Sequence, residues 1–218
     1  MYNELLLCFK ICRILNRKYK LDSNKLNTIA FDIFFFGIES NFFIRNLKEI
    51  SKEKGSDIIN TFKSNFKNIR KQHEDNNGSD TEYKLKDSNI VFKIKLKYLP
   101  FSGHENKLGH FYRHLFYTVK YIVNKEKEGL ITYKQAREYL KLLRAQMSNY
   151  ENVLLYYNYI IGYGKDWENE GFLTKYRMLH NLPLDKTLNV SQPRRHFKEF
   201  IKTIKPDETP MFEWGDYD

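Results

Sequence analysis

Two neighbouring segments in the middle of the chain constrain its fold most strongly, because both have the apolar period of a helix. They are Leu108–Ile122 (LGHFYRHLFYTVKYI) and Tyr139–Asn158 (YLKLLRAQMSNYENVLLYYN). Gly129 interrupts the pattern between them, and Thr132 offers an N-cap with Gln135 at the third helical position. The sequence therefore predicts an antiparallel helix hairpin over residues 105–161, with the second helix continuous from Thr132 to about 161.

Both helices of this hairpin carry polar side chains on the stripe that we expect to be buried. On the first helix the stripe contains His110, His114, Tyr117 and Tyr121, and on the second it contains Arg144, Ser148, Glu151 and Asn158. Burying such groups costs free energy unless each finds a partner. The hairpin is therefore predicted to hold a polar network.

This polar network admits a functional and a structural interpretation. As a functional pocket, histidine would act as acid or base and arginine would bind an anion. The candidate catalytic residues are then His110, Arg113, His114 and Glu151, and the candidate ligand-binding residues are Arg113, Arg144, Gln146, Ser148 and Asn158. As a structural element, the same groups would form a hydrogen-bonded layer that fixes the register of the helices.

The composition of the whole chain predicts one folded domain. Hydrophobic residues form 41% of the 218 residues, which is enough for a hydrophobic core. We predict a mainly α-helical bundle built around the hairpin, with a short β element near 89–98 where apolar and basic residues alternate. The predicted segments are an aromatic-rich helical segment (1–72), a polar loop (73–88), a helical core (89–204) and an acidic flexible tail (205–218).

Outside the hairpin, the apolar period and capping signals predict five further helices. They cover residues 3–19, 23–52, 57–72, 171–180 and 193–204.

The formal net charge of +10 favours contact with phosphates or acidic partners. The candidate nucleic-acid-binding residues are Lys93, Lys95, Lys97, Arg194 and Arg195. A lysine face that is simply solvated explains the same pattern, so the charge alone does not decide between the two interpretations.

The sequence contains no recognisable catalytic or cofactor motif. A Walker motif and a GxGxxG loop are both missing, and the histidines lack the spacing of a His-Glu-x-x-His zinc site. We therefore expect no metal and no cofactor. The two cysteines, Cys8 and Cys12, fit a reduced cytoplasmic location. No integral membrane span is expected, because the most apolar stretch, Ile29–Ile44, is too short and contains two carboxylates.

The hairpin resembles the AbiC-like family of phage abortive infection proteins. The resemblance rests on Gly-His-Phe-Tyr-Arg at 109–113, Arg-Ala-Gln-Met-Ser-Asn-Tyr-Glu at 144–151 and Tyr-Asn at 157–158, with an upstream aromatic-Gly element at 34–43. It covers roughly residues 30–180. It implies a role in bacterial antiphage defence, in which the infected cell stops growing or dies before phage matures, and it implies no settled enzymatic activity.

Several partners and two further functions are compatible with this resemblance. The partners are RNA or a nucleotide, a phage protein that acts as the trigger, and a second copy of the chain. One alternative function is a metal-independent RNA-cleaving toxin that uses His110, Arg113 and His114, although the Arg-spacer-His pattern of HEPN-type nucleases is missing. The other alternative is a non-enzymatic protein-interaction module.

Overall fold

The computed structural model describes residues 1–78, 81–86, 88–187 and 192–216. It is mostly helical with one small antiparallel sheet, which confirms the predicted mainly α class. Two compact units divide the chain, Met1–His110 and Phe111–Asp218. Each unit is described by itself below.

The elements are numbered in chain order. The helices up to residue 127 are α1 Tyr2–Tyr19, α2 Ser23–Phe36, α3 Asn41–Lys54, α4 Asp57–Asp75 and α5 Glu105–Lys127, and the strands are β1 Thr81–Lys84 and β2 Val91–Ile94. The later helices are α6 Tyr133–Ala145, α7 Asn149–Ile160, α8 Asp166–Asn169, α9 Pro193–His196 and α10 Lys198–Ile201, with a 3-10 turn at Leu184–Lys186.

Helices α2 and α3 replace the single helix predicted over 23–52, and that prediction is wrong. Gly37 ends α2 with a φ of +90°. A Cβ atom at Gly37 would lie 2.8 Å from the carbonyl oxygen of Ser102, so glycine permits a close backbone approach there. Ser40 then caps α3 by accepting a hydrogen bond from the Phe43 amide at 3.1 Å.

The carboxylate of Glu4 is fully buried and helps to hold this backbone approach together. It accepts a hydrogen bond from the Phe101 amide at 2.6 Å and lies 2.6 Å from Nε2 of His104. The His104 amide in turn donates to the carbonyl of Phe35 at 2.7 Å. These partners satisfy the buried carboxylate, which would otherwise destabilise the first unit.

The sheet consists of β1 and β2, paired antiparallel with Tyr83 opposite Phe92. Tyr83 and Phe92 are buried, whereas Lys93 is exposed, as the alternating pattern predicts for β2. Strand β1 lies inside the segment predicted as a polar loop. Its sequence, Thr-Glu-Tyr-Lys, has a single large apolar residue and too little pattern to predict a strand.

Helix α5 has the predicted bounds, but its buried stripe differs from the predicted one. The buried residues are Leu108, Tyr112, Leu115, Val119 and Val123, which follow the spacing of one helix face. The stripe of His110, His114, Tyr117 and Tyr121 is exposed, so the prediction that it is buried is wrong. The aliphatic stripe excludes more apolar surface from water and therefore determines which face packs.

The second predicted helix of the hairpin is broken between Ala145 and Asn149, and the prediction of one continuous helix is wrong. Ser148 is the N-cap of α7: its hydroxyl accepts from the Glu151 amide at 3.3 Å, and the Glu151 carboxylate accepts from the Ser148 amide at 2.7 Å. This is a capping box. The analogous box of Thr132 and Gln135, which the sequence predicts, is confirmed.

The C-terminal region also differs from the predicted pattern. Residues 171–180 form successive turns, and the predicted basic helix over 193–204 is two short helices, α9 and α10. The segment predicted as a flexible tail packs on its own unit through Met211 and Phe212, which are fully buried. Asp216 accepts hydrogen bonds from both of their amides at 2.8 Å.

No helix in the described part of the chain combines the length and the apolar composition needed to cross a bilayer.

Candidate anion-binding site

An open cleft of about 710 Å³ lies in the second unit, between α6, the turns near residue 177 and the C-terminal segment. Its volume falls in the range of roughly 300–1,000 Å³ that is usual for small-molecule sites. The lining residues are Tyr133, Lys134, Arg137, Glu138, Lys141, Arg144, Ala145, Arg177, His180, Asn181, Asp207, Glu208, Thr209 and Glu213.

Arg144 is the most unusual of these lining residues. Its side chain reaches the cleft from the last turn of α6, on the same face as the buried Ala136 and Leu140. It is only 4% exposed, so its predicted burial is confirmed. Nε donates to Oδ1 of Asn181 at 3.1 Å, whereas Nη1 is buried without a hydrogen-bond partner among the described residues.

The pKa of Arg144 is lowered to about 10, chiefly by burial and next by repulsion from Arg137, and the carboxylates of Glu138 and Glu213 offset part of this shift. The guanidinium is therefore still charged at neutral pH. A buried charged donor without a partner is costly, by roughly 1–3 kcal/mol or more relative to a satisfied one. Such a group is typical of a site that a ligand completes.

Arg177 lines the same cleft and is also buried. Nε and Nη2 donate to the carbonyl of Thr209, each at 3.3 Å, and Nη1 donates to the carbonyl of Thr174. Its guanidinium carbon lies 4.6 Å from the centre of the Phe200 ring. These partners are all neutral, and burial together with repulsion from Arg137 lowers the pKa of Arg177.

Arg137 completes a cluster of three arginines with Arg144 and Arg177, which we call the arginine cluster. Nη1 of Arg137 donates to the Tyr133 hydroxyl at 3.1 Å and to the Lys175 carbonyl at 3.2 Å, while its Nε is buried without a partner. Within the described ranges, no carboxylate forms an ion pair with any of the three arginines. The three guanidinium groups are thus close together without a direct ion pair, although nearby carboxylates offset part of their charge.

Four carboxylates also line the cleft, and we call them the acidic rim. Glu138, Asp207, Glu208 and Glu213 are exposed. Glu213 accepts a hydrogen bond from Nδ2 of Asn181 at 2.9 Å, and Oδ1 of the same Asn181 accepts the hydrogen bond from Nε of Arg144. The acidic rim thus offsets part of the charge of Arg144 and Arg177 but forms no ion pair with them among the described residues.

His180 adds a titratable group to the cleft. Burial lowers the pKa of its imidazole, and the charge of Arg144 lowers it further. Nδ1 lies 3.1 Å from the carbonyl oxygen of Pro210. The imidazole is therefore neutral at pH 7, and a bound anion would favour its protonation.

The structure separates the residues that the sequence analysis groups into one pocket. Of the predicted ligand-binding residues only Arg144 lines the cleft. Arg113, with the candidate catalytic His110 and His114, is exposed on α5. Gln146 is the C-cap of α6, and Ser148 and Glu151 form the capping box of α7.

Asn158 is buried in α7, where its side chain lies against Gly164. A Cβ atom at Gly164 would lie 2.5 Å from Oδ1 of Asn158, so the two residues form a close structural contact. The structure thus gives Asn158 a packing role.

Sequence reasoning missed Arg137 and Arg177. Arg137 precedes Arg144 by seven residues, two helical turns, so the shared face could have revealed it. Arg177 has a φ of +59° and is positioned by Thr209, 32 residues further along the chain. No local pattern predicts such a placement.

The predicted nucleic-acid-binding residues lie in separate places. Lys93, Lys95 and Lys97 are exposed on and just after β2. Arg194 donates to the carbonyl of Gly215 at 3.1 Å, whereas Arg195 is exposed. Arg194 therefore has a structural contact, with the C-terminal segment.

The two cysteines are buried and free. Burial raises the pKa of both thiols, which keeps them protonated and unreactive at neutral pH. Among residues 1–78, 81–86, 88–187 and 192–216, no three His, Cys, Asp or Glu side chains are grouped so as to hold a metal ion.

Comparison with known proteins identifies one family. A family model described as putative phage abortive infection protein matches residues 103–187. Over this segment the chain is similar to the phage abortive infection family. This confirms the resemblance expected from the hairpin, and the matched segment contains all three members of the arginine cluster. Searches of curated proteins and of solved structures each found no significant match.

Proposed function

We propose that the protein acts in abortive-infection defence against phage and that its arginine cluster binds a small phosphorylated ligand, such as a nucleotide. The family match supports the defence role. The observation that carries the ligand proposal is Arg144, a buried guanidinium with an unpaired nitrogen in an open cleft. We propose that the protein acts in the cytoplasm, where phage components are made.

The chemistry of the cluster favours phosphate over other anions. A guanidinium presents planar donors that match the oxygens of a phosphate. Arg144 and Arg137 each have one unpaired nitrogen, and Arg177, whose donors are bonded to carbonyls, adds positive charge beside them. The acidic rim disfavours large polyanions, because a long nucleic acid would have to pass Asp207 and Glu208. A compact anion meets fewer of these carboxylates than an extended chain does.

Calorimetric titration with inorganic pyrophosphate and with adenosine triphosphate tests this proposal. The wild-type protein should bind at least one of the two, and Arg144→Gln should weaken that binding about tenfold or more, because a charge-assisted hydrogen bond contributes roughly 1.5–3 kcal/mol. Arg195→Gln is the matched control, since Arg195 is an exposed arginine outside the cleft. The proposal is wrong if both probes fail to bind or if the two variants behave alike.

An RNA-cleaving toxin remains the second candidate. His110, Arg113 and His114 lie exposed on one face of α5, where RNA can reach both imidazoles and the guanidinium. Incubation of purified protein with labelled RNA tests this candidate directly. Cleavage that is lost in His114→Ala but not in Arg144→Gln would support it.

A further inference from the structure

Helix α5 carries a second unexplained feature, distinct from the arginine cluster. Arg113, His114, Tyr117, Tyr121 and Lys125 follow one another along one side of the helix, and we call them the tyrosine stripe. Tyr117 is 63% exposed and Tyr121 is 65% exposed. Two large aromatic rings are thus held in solvent on a helix whose opposite face is anchored in the core.

Packing does not account for these exposed rings. Helix α5 is already fixed by its buried face, which includes Leu115, Val119 and Val123. Neither Tyr117 nor Tyr121 has a hydroxyl hydrogen bond among the described residues. Substituting both rings would therefore remove little from the stability of the fold, and their role is to be sought in binding.

The cations around the rings are partly paired. Residues 106–125 contain Lys107, Arg113, Lys120 and Lys125 and no carboxylate of their own, but Lys120 pairs with Glu170 at 3.2 Å. Arg113 is exposed and has no ion pair in the described part of the chain. Nζ of Lys125 lies 5.5 Å from the centre of the Tyr121 ring, although it also pairs with Glu128 at 2.7 Å. The stripe thus combines aromatic faces with positive charge.

We infer that the tyrosine stripe binds single-stranded RNA, with bases stacked on Tyr117 and Tyr121 and phosphates near Arg113 and Lys125. The two rings are about 6 Å apart along the helix axis, and the two flanking cations are about 18 Å apart, at 1.5 Å per residue. This length suits a run of a few unpaired nucleotides. Aromatic stacking combined with a positively charged track is the usual way of binding single strands without sequence preference.

The same features disfavour a membrane surface and an RNA duplex. A helix that lies in a bilayer interface inserts an apolar face, whereas the apolar face of α5 is buried in the protein. A duplex keeps its bases stacked inside, so exposed tyrosine rings would gain no base contacts from it. Unpaired RNA is the ligand that uses both the rings and the cations.

Fluorescence anisotropy with a labelled 12-nucleotide oligouridine tests the inference on the full chain. Tyr117→Ala/Tyr121→Ala should weaken binding at least tenfold, since stacking contributes about 1–3 kcal/mol per base. Tyr117→Phe/Tyr121→Phe should bind like the wild type, because the ring is retained. Arg113→Gln should lower the slope of log affinity against log salt by about 1.

Tyr139→Ala/Tyr150→Ala is the matched control, since these tyrosines are 48% and 50% exposed on α6 and α7 outside the stripe. The control and Arg144→Gln should both keep RNA affinity. The inference is overturned if the wild type does not bind, if the control loses as much affinity as the stripe variant, or if Arg144→Gln abolishes binding. Binding to phosphatidylserine vesicles without binding to RNA would assign the stripe to a membrane instead.

Discussion

At the scale of single residues, Arg144 connects structure to the proposed function. Residues that complete a ligand site are often poorly satisfied in the free protein, because their partners arrive with the ligand. The unpaired Nη1 of Arg144 and its repulsion from Arg137 fit this description. A purely structural arginine would have a carboxylate or a full set of carbonyl partners, as Arg177 nearly has.

Arg144→Met should therefore leave the free energy of unfolding unchanged or raise it by up to about 1 kcal/mol, because it removes a buried charge and keeps apolar volume. The same variant should lose pyrophosphate binding. Urea denaturation of the ligand-free protein and calorimetry measure the two effects. A loss of stability of about 3 kcal/mol or more would instead assign Arg144 a structural role.

His180 should make ligand binding depend on pH. The pKa of His180 is lowered from 6.5 in the free protein, and an anion bound beside the imidazole raises that pKa again. At acidic pH, ligand binding is therefore accompanied by protonation of His180. Affinity for pyrophosphate should thus increase from pH 7.5 to pH 5.5, after correction for the ionisation of the probe. His180→Gln should flatten this dependence. His196→Gln is the control, because burial lowers the pKa of His196 too but His196 lies outside the cleft. If His180→Gln has the same pH profile as the wild type, His180 does not cause the pH dependence.

At the scale of elements, the break between α6 and α7 separates the residues that the sequence predicts on one polar stripe. A continuous helix would align Ser148 and Glu151 with Arg144, whereas the break commits both residues to capping α7. The motif Ser-Asn-Tyr-Glu at 148–151 is itself a capping signal. The helical period continues across the break, so periodicity alone predicts one polar stripe where the structure has two helices.

Ser148→Ala should lower the free energy of unfolding by about 1 kcal/mol through loss of the N-cap, within the range of roughly 0.5–2 kcal/mol for such caps. Thr132→Ala, which removes the equivalent cap of α6, should cost a similar amount. Neither variant should change the affinity for pyrophosphate. If Ser148→Ala binds pyrophosphate tenfold more weakly while its stability is retained, Ser148 belongs to the ligand site after all.

The elements that sequence predicts well are those set by local patterns. Helix α5 has the expected bounds because its apolar period and the Gly129 stop both lie within the segment. At Gly37 the sequence marks a kink or a close helix crossing within a longer helix, and it does not predict the end of α2, because the backbone of Ser102 that approaches Gly37 lies far along the chain. For the same reason Arg144 could be expected in a site, whereas Arg177, positioned by Thr209, could not.

At the scale of the whole molecule, the segment that matches the phage abortive infection family contains both unexplained features. Residues 103–187 include the tyrosine stripe of α5 and the three arginines of the cluster. The acidic rim is contributed partly by residues 207–213, which follow the matched segment. We propose that the matched segment contains the residues that bind the ligands and that the carboxylates of the C-terminal segment lower the positive potential at the arginine cluster.

The central claim is that defence depends on an anion bound at the arginine cluster. The most direct test is the efficiency of phage plating on cells that express the wild type, Arg144→Met or the control Arg195→Gln, at equal protein levels and with the fold verified by circular dichroism. We expect the wild type and Arg195→Gln to protect the cells and Arg144→Met to lose protection while remaining folded. Full protection by folded Arg144→Met would contradict the account.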